Sequence, residues 1–529
     1  MGEVSILREA SARPRARGAP ECAAGATDAV ALRLHSKLGA AAKSLLLSGS
    51  HSFGAIETLR SAAIDDATHA LQRHEPQYSA ARTVTPAQRT LFVAVGLGLT
   101  VCIALSPAVG GLVLTAFIAA SYAANAVFRA WLFWVGSDEP STQIDASEEN
   151  ASAADLPVYT VLVPLYREAN VVAQLAAALR RLDYPPHLLD VKLVVEEDDD
   201  DTVAAALEAS ADGVFEVVAV PAGEPRTKPR ACNYALQLAR GDFLVIFDAE
   251  DRPEPDQLKK ALHAFRRAPV DVACLQARLN FFNARECWLT RMFALDYALW
   301  FDFLLPGLDR LGIPMPLGGT SNHFRVEALR AIRGWDPFNV TEDADLGIRL
   351  ARLGLRVRTL DSTTYEEATN ALDNWLRQRT RWLKGYMQTW LVHMRDPRQL
   401  LRNAGLGGFL GFQLFVGGTV VAALLNPILW LVFVLSFFID VPAVGFTGAT
   451  HALSGSGLLL GNALFAYLAM LGPYRRGWLD LSPYALLVPF YWLLISAAAY
   501  RAAWQLARKP WYWEKTVHGL TRMADGAVP

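Results

Sequence analysis

Cysteine is scarce. Five are scattered over 529 residues (Cys22, Cys102, Cys232, Cys274 and Cys287), with no Cys-x-x-Cys pair and no metal-ligand spacing. This excludes a disulfide scaffold or a zinc ribbon, and the odd total fits a central domain kept in a reducing compartment. A surplus of one charge is also missing, because 50 Lys and Arg face 52 Asp and Glu and leave a formal net charge of −2. A nucleic-acid binder would show a basic surplus, so nucleic acid is not an expected partner. There is no Gly-x-Ser-x-Gly, His-Glu-x-x-His or Walker loop, which removes the serine-hydrolase, zinc-protease and P-loop classes. Charged residues make up only 19% and hydrophobic residues 52%, more apolar than an average soluble domain.

The apolar excess sits in two blocks, 90–135 and 405–505. In the first, Leu91–Leu105 and Leu112–Val135 flank Ser-Pro-Ala-Val-Gly-Gly, and each run approaches the roughly 20 residues that cross a bilayer. The link carries no Lys or Arg, whereas Arg82, Arg89 and Arg129 lie toward the outer ends. The positive-inside rule then places both ends in the cytoplasm. The alternative is a buried helical pair in a soluble protein. In the second block, Leu406–Ile439 is too long for one straight helix and is expected to break at Asn426-Pro427. Ser456–Gly472 and Pro483–Tyr500 follow, with one segment re-entrant around Pro483 and Pro489, because three simple crossings cannot satisfy the basic residues at Arg475, Arg476, Arg501 and Arg508.

The expected organisation is an arm over 1–87 (disordered over 1–27, helical patterning over 28–75), then a transmembrane hairpin over 88–136. An α/β domain over 150–400 follows. Last come a bundle of three or four segments over 404–505 and a cytoplasmic tail over 506–529. The tail's Lys509-Pro-Trp-Tyr-Trp-Glu-Lys-Thr-Val-His518 reads as an interfacial aromatic and basic anchor. The arm contains no stretch apolar enough for a signal-peptide core.

Within 157–400, strands alternate with helical patterns, predicting a mostly parallel sheet with crossover helices. Strand Phe243–Phe247 runs directly into Asp248-Ala-Glu250-Asp251-Arg-Pro253. Three carboxylates at one point repel each other and stay ionised only beside a cation, for which a hard divalent ion shared with phosphate oxygens is suited. The plain alternative is a solvated turn capping the next helix. Two earlier strands end likewise, at Tyr166-Arg-Glu168 and at Glu196-Glu-Asp-Asp-Asp-Asp201, where the first members are placed to bind a nucleoside base and ribose. Arg226-Thr-Lys228-Pro-Arg230 is a basic helix entry suited to a diphosphate. Farther on, Gly318-Gly319-Thr320-Ser321-Asn322-His323 offers backbone that a sugar can approach closely. Thr341-Glu342-Asp343 opens a helix, and either Thr341 or Asp343 could be a simple cap. Gln378-Arg379-Thr-Arg381-Trp382 lies on a basic amphipathic segment suited to a membrane surface.

Together these motifs resemble the family 2 glycosyltransferases of GT-A fold, most closely the membrane-embedded processive branch of cellulose, curdlan, mixed-linkage glucan and hyaluronan synthases. The resemblance implies an α/β GT-A domain inserted between transmembrane helices. It assigns Tyr166 and Glu168 to the uracil, and uridine to the cluster that includes Glu197 and Asp198. Lys228 and Asp248 would bind the donor diphosphate, and Asp248 and Glu250 would bind Mg²⁺ or Mn²⁺. Glu250 departs from the family's second Asp, and Asp251 could take its place. The resemblance implies Asp343 as general base and Arg381 as the support for the leaving diphosphate. Gly319, Thr320, Ser321, Gln378 and Trp382 would contact the acceptor. The implied activity is inverting polymerisation of a β-linked polysaccharide from a UDP-sugar, expected to be UDP-glucose. The partners would be the growing glycan, the inner-membrane bilayer and accessory export proteins. Two alternatives remain: single addition of a sugar to a lipid or other acceptor, and a transport or receptor protein that only senses nucleotide.

Overall fold

The computed structural model describes residues 53–138, 156–435, 437–438, 448–516, 519 and 521. The arm expected to be disordered (1–27) and most of the linker after residue 138 lie outside them. The later part of the patterned stretch forms α1 (Phe53–His74), which docks on the α/β domain through Asn233 Nδ2 to Ala67 O (2.9 Å) and Gln237 Nε2 to Ala63 O (2.9 Å). Helix α2 (Pro86–Leu105) begins with a reciprocal cap: Gln88 N donates to Thr85 Oγ1 and Thr85 N to Gln88 Oε1, with Pro86 in the first turn. Such a cap contributes about 1 kcal/mol. Pro107 already belongs to α3 (Pro107–Gly136), so the expected six-residue link shrinks to Ser106.

Only 6% of the apolar window of α2 is buried, and Leu105 is 82% exposed. A soluble protein does not leave so continuous an apolar surface in water, which rules against the buried helical pair. The far end of α3 is held tightly. A methyl group on Gly136 would lie 1.9 Å from Phe303 O, and one on Gly307 would lie 2.3 Å from Leu132 O. Backbone meets backbone here because neither residue has a Cβ.

The sheet has eight strands: β1 (Tyr159–Leu165), β2 (Leu189–Glu196), β3 (Phe215–Val220), β4 (Phe243–Ile246), β5 (Arg252–Pro253), β6 (Val272–Phe281), β7 (Asn322–Arg325) and β8 (Arg356–Glu366), in the order β3-β2-β1-β4-β7-β6-β8-β5. The first four are parallel, as expected, and β6 runs parallel to β8. The sheet is mostly parallel, as expected, with two antiparallel strands: β7 lies between β4 and β6, with Ile246 opposite Asn322, and the short β5 pairs with β8 at the edge. One edge therefore collects the C-terminal ends of β1, β2, β4 and β8 together with the entry to β7. Helices α4 (Lys228–Leu236), α5 (Glu342–Arg352) and α6 (Leu372–His393) bring their own residues to it.

Three further apolar helices complete the chain, making five in the described residues that are long and apolar enough to cross a membrane. Helix α7 (Pro397–Phe412) kinks at Gly405 (φ 69°) and continues through a π turn at Gln413–Gly417 into α8 (Gly418–Leu435). The break expected at Asn426-Pro427 does not occur. Pro427 sits inside α8, and the chain bends instead where glycine tolerates positive φ. Helix α9 (Gly448–Leu471) returns to the domain, where Arg476 clasps Asp302 through two 2.6 Å hydrogen bonds. The last helix, α10 (Val488–Arg508), lies along α6: Tyr491 accepts from Arg379 (2.7 Å) near one end, and Gln505 accepts from Lys384 (3.1 Å) near the other. Two positions of α10, Tyr491 and Gln505, are thus tied to α6 of the α/β domain.

Candidate active site

At the mouth of β4, Asp248 and Asp251 do different jobs. Asp251 is 1% exposed, and its Oδ2 accepts from Asp248 N (2.7 Å) and from the Thr320 hydroxyl. It braces the turn, leaving Asp248 and Glu250 to line the cavity. Lys228, at the start of α4, donates to Asp248 and to Gly319 O (2.7 Å). A methyl on Gly319 would lie 3.3 Å from Asp343 Oδ2 and 3.8 Å from Asp248 Oδ2. Both carboxylates thus lie within reach of a single added methyl, and any larger side chain there would crowd them.

Asp343 and Glu342 open α5 beneath α6. Gly385 of α6 lies directly against Thr341, because a Cβ there would come within 2.1 Å of Thr341 Oγ1. Burial and the neighbouring Asp343 push the Glu342 carboxyl up to about 8, and burial also raises Asp343. Burial works against the Lys228 ammonium, but Asp248 and Glu342 together hold its pKa well above the ordinary lysine value. Burial and the charges of Asp248 and Glu250 raise Asp251 and Glu366 far above the carboxylate range. A divalent ion beside these carboxylates would offset their mutual repulsion. Among the described residues no three His, Cys, Asp or Glu side chains form a closed cage. An ion held by Asp248 and Glu250 and finished by substrate phosphates fits that donor set.

The nucleotide end of the cavity is lined by Tyr166, Glu168, Glu196, Arg226 and Lys228. The acidic cluster after β2 divides. Glu196 lines the cavity, and burial lifts its pKa to about 7. Glu197 is turned away to Ala222 N (2.8 Å) and Arg60 of α1 (2.9 Å), and Asp198 is paired with Arg226 (2.6 Å). Neither forms part of the cavity wall. Gly319 and Thr320 do, whereas Ser321 is fully buried and bonded to Thr364 Oγ1 (2.7 Å), so the structure gives it no route to a ligand. At the other end, Gln378, Arg381 and Trp382 line the wall, and Trp382 stacks on Tyr297 with centroids 6.1 Å apart.

Sequence reasoning missed several wall residues. The tail is not a free interfacial anchor: Trp511, Tyr512, Trp513, Lys515 and Thr516 cover the cavity. Lys515 donates to Tyr166 O and to Glu168 Oε1 (2.9 Å), and the Arg381 guanidinium lies 4.6 Å from the Trp513 ring centre. Its aromatic and basic character was legible, but its position depends on contacts more than a hundred residues away. Glu366, Arg379 and Asp296 also line the wall, the last two joined at 2.8 Å. Replacing Lys515 with Met removes the tie to Glu168, and we expect this to raise KM for the donor several-fold with a smaller change in kcat. An unchanged donor KM in initial-rate assays would show that the tail does not help hold the nucleotide.

Residues 157–385 match the family described as "Glycosyltransferase like family 2". Over those residues the chain carries a domain like those of the family 2 glycosyltransferases, and it is an enzyme of that class. It is 27% identical over 415 residues to the beta-monoglucosyldiacylglycerol synthase of Synechocystis, covering 74% of this chain and 84% of that protein. It is 25% identical over 304 residues to the probable glycosyltransferase YdaM of Bacillus subtilis (55% and 70%). It is 28% identical over 238 residues to the probable glucomannan 4-beta-mannosyltransferase 1 of Arabidopsis thaliana (43% and 43%), so it spans less than half of that relative. Among solved structures, the Pyrobaculum calidifontis mannosyltransferase PcManGT, in complex with GDP-Man and Mn²⁺, superposes with a TM-score of 0.47 at 19% identity, covering 75% of this chain and 99% of that one.

Proposed function

We propose that the protein transfers a sugar from a UDP-sugar, with inversion, onto the hydroxyl of an acceptor that enters from the bilayer. One observation carries the reading. A single cavity of about 1020 Å³ runs from Tyr166, Asp248 and Asp343 past Trp382 to Tyr122 of α3, Asn426 of α8 and Phe465 of α9. The donor's base and diphosphate would lie against Tyr166, Glu168, Arg226 and Lys228. Asp343 accepts the proton of the acceptor hydroxyl as its oxygen bonds to C1 of the sugar. The bond from C1 to the diphosphate oxygen breaks, and UDP leaves with the electron pair. Arg381 and Lys228 offset the charge that develops on it. Asp248 and Glu250 would hold a divalent ion, which when bound supplies further positive charge to the diphosphate.

We place the domain on the cytoplasmic side. Arg89 lies in the first turn of α2 with Arg82 just before that helix, and Arg475 and Arg476 directly follow α9. In this arrangement α2, α3, α7–α8 and α9 cross the bilayer, and α10 stays beside α6.

Processive polymerisation is the second reading, favoured by the Gln-x-x-Arg-Trp sequence at 378–382. The cavity favours a single amphiphile instead. Among the described residues, its wall includes none of α3 before Tyr122 and none of α9 before Phe465, so it stops short of the far side. Membranes given radiolabelled UDP-sugars and Mn²⁺ should place label in the organic-solvent extract. Label found only in high-mass polymer would overturn the lipid-acceptor reading, and UDP-sugar left intact would overturn the transferase reading itself.

A further inference from the structure

Arg129 lies on α3 seven residues before Gly136, the residue docked on the α/β domain. At 1.5 Å per residue, that is about 10 Å inside the apolar span. Its side chain does not reach back to the surface, although the sequence places it near a helix end. It turns into the cavity, where Nε donates to Asn125 Oδ1 (3.2 Å) and Nη2 to Thr419 Oγ1 (2.6 Å). Two of a guanidinium's five N–H groups are used this way. Rings surround it: the Phe415, Phe465 and Trp300 centroids lie 5.4, 5.8 and 5.9 Å from Cζ. No ion pair joins it among the described residues, and the nearby carboxylate, Asp296, is taken by Arg379 at 2.8 Å. Two arginines and one carboxylate therefore leave a net positive charge in the membrane half of the cavity.

A cation kept at that depth with spare donors is costly unless it has a function. We propose that Arg129 binds the phosphate of an anionic lipid acceptor. This rests on the lipid-acceptor reading above and names the acceptor's class: a glycerophospholipid that carries a free headgroup hydroxyl. The groups that line the cavity suit such a molecule. Asp343, placed to take the hydroxyl proton, shares one cavity wall with Tyr386 and Arg129. Arg129 meets the phosphodiester one step deeper, and the acyl chains run on toward Ala422, Phe465, Trp492 and Ile495. A neutral diglyceride would leave the guanidinium without its counter-charge. Free glycerol phosphate would lack the apolar part that fills the far end.

The test uses the full chain reconstituted in phosphatidylcholine vesicles with radiolabelled UDP-sugar and Mn²⁺. Three arms add phosphatidylglycerol, diacylglycerol or free glycerol phosphate. A charge-assisted contact should make labelling of phosphatidylglycerol about 10- to 100-fold faster than that of diacylglycerol. Arg129→Gln should erase most of that preference, and Arg129→Lys should keep part of it. UDP binding by calorimetry should be unchanged in both variants, which controls for folding. Equal labelling of the two lipids by the native protein would overturn the inference and leave the lipid-acceptor reading standing. A preference that survives Arg129→Gln would remove Arg129 from the role, and rapid labelling of glycerol phosphate would remove the lipid. Polymer alone, with no labelled lipid, would defeat the underlying reading as well.

Discussion

Substituting Asn for Asp343 is expected to lower turnover by ~10²–10⁴-fold, the range that general-base catalysis supplies. The fold should persist, because Asn keeps the shape and can still accept from Ala344 N, to which Asp343 Oδ1 is bonded at 2.7 Å. Donor binding should also persist, since Lys228, Arg226 and Tyr166 are untouched. The pH profile gives a second readout. A base works only when ionised, and burial raises the proton affinity of Asp343. The native rate should therefore fall on acidification at a pH above the ordinary aspartate range near 4, and this limb should be missing from the variant. Burial and the neighbouring Asp343 raise Glu342 as well, so a proton on Glu342 eases the repulsion on Asp343 while the base operates. Ordinary turnover by a folded Asp343→Asn protein would assign the proton to another group.

The second large effect concerns the cation. Chelation should abolish turnover, and added Mn²⁺ should restore it in the native protein. In Asp248→Asn, turnover should fall by ~10²-fold or more and the added ion should not recover it, because a developing charge would lose its main support. The same substitution releases Lys228 from its partner carboxylate, so KM for the donor should rise as well. Native-like activity in chelator, or full Mn²⁺ rescue of the variant, would argue that Lys228 and Arg381 alone carry the leaving group.

Much of this site could be read from the chain because each parallel strand declares its own exit. Apolar runs end at Tyr166, Glu196 and Asp248, and the topology then gathers the ends along one edge. What stayed hidden was set by distant partners. Ser321 shares a motif with Gly319, but the antiparallel pairing of β7 buries it against Thr364. Glu197 and Asp198 look equivalent to Glu196 until Arg60 and Arg226 claim them. Hydropathy marked α10 as apolar. It could not tell that Tyr491 and Gln505 would tie both of its ends to α6. The tail over the cavity and the arginine within it were legible as residue types only.

The glycine pair at 136 and 307 has a mechanical consequence. With backbone packed on backbone there, the globular part cannot swing freely on its anchor, and the Asp302 clasp on Arg476 fixes it at a second point. The height of the reacting carboxylate above the lipid is thus set by the fold rather than by a flexible stalk. If the acceptor is the lipid proposed above, a short headgroup must come up to that height by itself, and the stiffness of the mount would act as a ruler for the distance between its hydroxyl and its tails.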